Sequence, residues 1–201
     1  MDLEMVNGVL VPARPRMAES REIATTADGR DITRGYVDSL SLLPPMDPVL
    51  QSRGADYRVY EELLRDDQVA ACFAQLRLAV VGAEWKVDAA GGKTAKRADR
   101  KAAEFLNEQL AAVDFDRAFD KMLYGLFYGH GVAECMWSRS ATQTKLAAIK
   151  VRKARRFGFG PQGELKLLTL KQPLGEVMPP RKFWTFQYGG DNDDDPYGIG
   201  L

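Results

Sequence analysis

The chain is poor in the residues that usually build reactive sites. It has 201 residues but only two cysteines, Cys72 and Cys135, and a single histidine, His130. Two distant cysteines give neither a disulfide framework nor a cysteine zinc motif. Both lie in apolar sequence and read as small hydrophobes in a reducing compartment. An excess of one charge is also missing: 28 Lys and Arg balance 28 Asp and Glu, so overall charge announces no nucleic-acid or membrane partner. No apolar run approaches the ~18 residues of a membrane span. The opening "MDLEMVNGVL" carries acids where a signal peptide carries bases, so the sequence reads as a cytosolic product with no membrane partner. No internal repeat is visible.

What is present is an ordinary globular composition, 45% hydrophobic and 28% charged. Residues 1–45 read as an N-terminal arm, partly irregular, closed by "LLPPMDPVL", whose prolines interrupt any helix. Residues 46–201 read as one domain. A short helix is expected around 57–65. A longer one follows, capped by Asp66 or Asp67, with Val69, Phe73, Leu76 and Val80 on one stripe and Gly82 as its C′ residue. "AEWKVDA" has the alternation of a strand. Two more helices are expected from "KTAKRADRKAAEFLNEQLAAV", basic at its start, and "DFDRAFDKMLYGLFYG". Four strands then follow: "GVAECMWS", "LAAIKVRKARRFGF", "ELKLLTL" and "KFWTFQY". "GPQG" joins the middle two with the chemistry of a type I turn. Helices followed by mostly antiparallel strands make the fold class α+β. The chain stops at Leu201 just after a turn-rich segment, which reads as an incomplete C-terminus.

His130 raises the first question of chemistry, because Glu134 and Cys135 follow closely. On an extended segment His130 and Glu134 share a face but stand about 13 Å apart at ~3.3 Å per residue, and Cys135 points the other way. A Cys–His pair or a zinc cage needs much closer groups, and there is no second histidine. His130 therefore reads as a turn histidine between helix and strand, flanked by Gly129 and Gly131. "DNDDD" lacks the glycine and the distal glutamate of a calcium loop, and "FGFGPQG" lacks the Lys-Ser/Thr of a phosphate loop. "GLFYG" reads as close packing in a soluble core, since Arg117, Asp120 and Lys121 share its helix. No nucleophile with its base, paired-carboxylate site, cofactor motif or metal cage emerges, so the sequence reads as non-catalytic, without cofactors.

One run stands out. "KLAAIKVRKARR" holds Lys145, Lys150, Arg152, Lys153, Arg155 and Arg156 and no acid. It reads three ways: as cations contacting a phosphate backbone, as a solvated strand edge that discourages stray pairing, or as salt-bridge partners of a neighbouring subunit. Alternation would put Lys150, Arg152, Ala154 and Arg156 on one face and Val151, Lys153 and Arg155 on the other.

Four phrases in order carry a resemblance: "LLRDDQVAACFAQLRLAVVGAEWKV", "MLYGLFYGHGVAECMW", "LAAIKVRKARRFGFGPQGELKLL" and "KFWTFQYGGDNDDDPYGIGL". From about residue 47 to 201 the sequence resembles the N-terminal part of the Mu-like phage and prophage portal protein family. The resemblance implies a wing-like α+β domain and a structural role. It also implies a homo-oligomeric ring, commonly a dodecamer, at one capsid vertex of the virion, assembled in the host cytoplasm. Double-stranded DNA would pass through without sequence readout, with capsid proteins and a terminase, which supplies the hydrolysis, as partners. The basic run would then face a neighbour, the shell or DNA. The alternative is a phage nucleic-acid-binding protein that uses the run at 145–156 as a phosphate track.

Overall fold

The computed structural model describes residues 3–6, 9–12, 42–141 and 143–201. Within the arm, β1 (Leu3–Val6) and β2 (Val9–Pro12) pair as an antiparallel hairpin; the rest of the arm up to residue 41 lies outside the described residues. From residue 48 onward helices come first: α1 (Pro48–Ser52), α2 (Arg58–Leu63), α3 (Asp67–Val81), α4 (Arg97–Ala112), α5 (Phe115–Met122) and α6 (Gly125–Tyr128). Six strands follow: β3 (His130–Arg139), β4 (Thr144–Arg152), β5 (Phe157–Phe159), β6 (Leu165–Leu167), β7 (Glu176–Val177) and β8 (Phe183–Gln187). They form two antiparallel three-stranded sheets, β4-β3-β8 and β5-β6-β7. The architecture is the expected α+β.

Local chemistry explains the helix starts. Asp66 caps α3 by accepting from Gln68 N and Val69 N, each at 3.0 Å. Asp47 caps α1 by accepting from Val49 N at 2.8 Å, with Pro48 preset at the first helical position, and it also accepts the Tyr60 hydroxyl. This carboxylate is almost fully buried, yet its oxygens are spoken for. The other end of α3 departs from expectation. Gly82 keeps a right-handed φ of −72° in place of a left-handed C′ geometry. Of the stripe, Phe73 is buried, whereas Leu76 and Val80 remain 50% and 42% exposed, because the C-terminal half of the helix runs past the core.

Two further expectations need correction. "AEWKVDA" forms no strand: it finds no ladder, and Asn107 Nδ2 of α4 donates to Val87 O at 3.1 Å instead. Trp85 packs edge-on to Phe115 and donates to Asp116 Oδ1. The helix expected from "DFDRAFDKMLYGLFYG" is broken at Leu123 and Tyr124 into α5 and α6. Gly125, just after the break, lies so close to the strands that an added Cβ would meet Phe186 Cδ1 at 2.6 Å and Gly131 N at 2.8 Å. The two glycines of "GLFYG" thus serve close packing, and Gly129 adopts φ +84° to turn the chain into β3. Cys72, expected in apolar surroundings, is exposed, while Cys135 is half-buried.

The core has two aromatic clusters. Leu50, Tyr57, Tyr60, Phe73 and Phe127 form one; Leu43, Phe159 and Tyr197 form the other. The tail is tied in by Ile199 N donating to Tyr188 O and Leu201 N donating to Leu126 O. Among the described residues no helix is long and apolar enough to cross a membrane.

Candidate interaction surface

The two groups singled out in the sequence, the lone histidine and the basic run, have opposite fates. His130 is the first residue of β3 and only 1% exposed. Its ring lies edge-on to Tyr57 at 5.8 Å, Phe159 at 5.6 Å and Tyr197 at 5.5 Å. It therefore joins the two clusters, a larger structural part than that of a turn residue. Neither ring nitrogen makes a hydrogen bond of good geometry; the backbone of Ala154 and Tyr197 lies close enough to favour the protonated ring slightly, but burial outweighs this and lowers the pKa to about 4, so the ring is neutral near pH 7. Glu134 and Cys135 do not meet it. Tyr57, also in this cluster, keeps a buried hydroxyl without a partner, and burial pushes its pKa up.

The basic run is not one continuous strand. β4 ends at Arg152, a 3-10 turn covers Ala154–Arg156, and β5 begins in the other sheet. The two-face alternation therefore fails beyond Arg152: Ala154 turns into the core and the chain changes sheets. Arg152 faces Val132 across the ladder and reaches diagonally to Glu134, with Nη2 2.6 Å and Nε 3.2 Å from Oε2. Lys182 Nζ lies 3.4 Å from Glu134 Oε1 and donates to Cys135 O at 2.9 Å. Arg152 first, then Lys182, holds the Glu134 carboxyl below its ordinary range. Lys153 reaches Glu61 at 3.5 Å. Arg152 and Lys153 thus have partners within the chain. Lys145, Lys150, Arg155 and Arg156 are exposed and make no ion pair among the described residues. Lys145 and Lys150 lie on β4, an edge strand, where cations also deter unwanted pairing. Arg156 lines a 320 Å³ cleft between the sheets, beside Glu134, Arg152 and Lys182.

Some organising residues were not anticipated. Glu134 is the hub of the cationic face, a part visible only once β3 and β8 are paired. Arg77 lies inside α3 with its side chain only 16% exposed: its guanidinium sits over the Tyr124 ring at 4.5 Å and bonds Asp120 at 3.1 Å. Side chains of "DNDDD" serve the backbone in part: the Asn192 amide Oδ1 accepts from Asp194 N, and the Asp195 carboxylate Oδ1 accepts from Tyr197 N. Among the described residues no three His, Cys, Asp or Glu side chains converge on a metal position.

Fold and surface together define an α+β architecture with a buried aromatic core and, outside it, cations that make no ion pair among the described residues. The chain belongs to the family described as the portal protein of Mu bacteriophage, whose model matches residues 57–201. The family is one of structural phage proteins, and the match runs from the start of α2 through both sheets. No curated protein matches the chain.

Proposed function

We propose that the chain is a structural subunit of the phage portal, assembling with copies of itself into a ring at the capsid vertex. Double-stranded DNA would enter and leave through that ring. The family match over 57–201 carries the reading. The surface is compatible with it: four cations without an ion pair among the described residues are distributed over an edge strand and a turn, where they can meet phosphates or acidic neighbours without base readout. In this role capsid proteins and a terminase are its partners, the virion is its destination, and the host cytoplasm is where it assembles. It performs no chemistry itself.

Electron microscopy of the complete gene product tests the reading directly: closed rings are expected, and a uniformly monomeric protein refutes it. The second reading, a nucleic-acid-binding protein, is favoured only by the exposure of Lys145, Lys150, Arg155 and Arg156. It predicts tight duplex binding by the monomer with a steep salt dependence, lost on reversing Arg155 and Arg156.

A further inference from the structure

A 430 Å³ cleft on the surface is lined by Leu42, Pro45, Tyr57, Phe157, Leu168 and Tyr197. Its size falls within the ~300–1,000 Å³ of pre-formed binding sites. A few polar side chains border this apolar space. The Tyr57 hydroxyl is buried beneath the cleft without a hydrogen-bond partner among the described residues, and the Tyr197 hydroxyl accepts from Phe159 N at 3.1 Å. Arg155, also part of the lining, is exposed and makes no hydrogen bond or ion pair among the described residues. The carboxylate whose pKa it helps to lower, Asp56, is already bonded to Arg58 at 2.7 Å. The other polar side chain in the lining, Gln51, donates to Pro45 O. The cleft is thus complementary to an apolar side chain followed closely by a carboxylate.

The chain itself displays that chemistry elsewhere. In the loop after β6, Leu170 is wholly exposed and Leu174 is 57% exposed, and Val177 in β7 is likewise 57% exposed. The exposed Glu176 lies between the last two, with no ion pair among the described residues. Single exposed leucines are commonplace, but three apolar side chains left this exposed within eight residues are a local concentration of unburied apolar surface. The loop is held in shape: Thr169 N and Gln172 O bond at 3.2 Å, as do Gln172 N and Thr169 O, and Gly175 N donates to Gln172 O at 3.0 Å. A preorganised knob loses little conformational entropy on docking.

We infer that residues 170–177 of one copy, the loop and the short strand β7, dock into the cleft of a second copy, the leucines entering the apolar space and Glu176 pairing with Arg155. This contact rests on the subunit association of the portal reading and names the surfaces that make it.

Mixed disulfide trapping tests it on the complete chain in a Cys72→Ser background. Leu174→Cys is placed in one preparation and Leu42→Cys in another. A cross-linked dimer is expected from the mixture and not from either preparation alone. Arg155→Glu in the cleft preparation is expected to lower its yield about tenfold, and Glu176→Arg in the loop preparation to restore it. Equal cross-linking in single and mixed samples, or a yield indifferent to both charge changes, overturns the contact. Rings without mixed cross-links would sink this contact and leave the portal reading standing; a wild-type chain that never associates would sink both.

Discussion

Acidification should destabilise this protein through His130 more than through any other single neutral group. The unfolded chain titrates this imidazole near its ordinary value of 6.5, whereas in the fold burial lowers the pKa to about 4. Above 6.5 both states are neutral and the contribution is fully present. As pH falls through that value, the unfolded state takes up a proton that the folded state refuses, so stability declines until about pH 4. The loss is about 2 kcal/mol between pH 7 and 5 and about 3 kcal/mol in all. Against a typical total of about 5–15 kcal/mol, that is a substantial part. Carboxylates titrate over part of the same range, so the comparison is with His130→Phe, which keeps an aromatic ring among Tyr57, Phe159 and Tyr197. Urea unfolding at pH 7, 6 and 5 should show a steeper decline for the wild type by about 2 kcal/mol. Because there is one histidine, its imidazole proton resonances in NMR can be followed without ambiguity. They should stay in the neutral position down to pH 5. An inflection near 6.5, or identical pH slopes for the two proteins, would refute the enclosed neutral ring.

Other perturbations probe the rest of the molecule. Gly125→Ala should cost about 1–3 kcal/mol in urea unfolding, since the new Cβ would press on Phe186 and the backbone of β3. Asp47→Ala removes the α1 cap and the acceptor of Tyr60, and should lower stability by about 2 kcal/mol. Arg152→Ala should cost about 1 kcal/mol or less, because Lys182 remains beside Glu134 and all three side chains keep some solvent contact. Glu134, held low by these partners, contributes stability above the ordinary carboxylate range and loses it as pH falls through its depressed pKa, so the Arg152→Ala effect should fade in acid. Reversal of Arg155 and Arg156 together should change stability by less than about 0.5 kcal/mol, as neither is buried or paired, so any large unfolding shift would contradict their exposure.

Elements with a local signature were legible in the sequence. Asp66 marks the start of α3 by its own capping geometry, and "GPQG" makes the β5–β6 hairpin, with Gly163 N donating to Gly160 O at 2.9 Å. Features decided by distant partners were not. "AEWKVDA" has a strand's alternation but no neighbour to pair with, and a side chain from α4 takes the place of a ladder. The basic run looks uniform in one dimension, yet a partner glutamate on β3 claims Arg152 and another on α2 claims Lys153. Spacing alone argued against a site formed by His130 with Glu134 or Cys135. Its position between two aromatic clusters depends on Tyr57 and Tyr197, which are remote in sequence.

The change of sheet at residue 153 has a mechanical corollary. Lys145 and Lys150 ride on one sheet, while Arg155 and Arg156 belong to the turn that leads into the other. Any tilt between the two sheets would alter the spacing of these positive charges without moving either pair relative to its own support, so the electrostatic pattern shown to a partner is set by the angle of a joint.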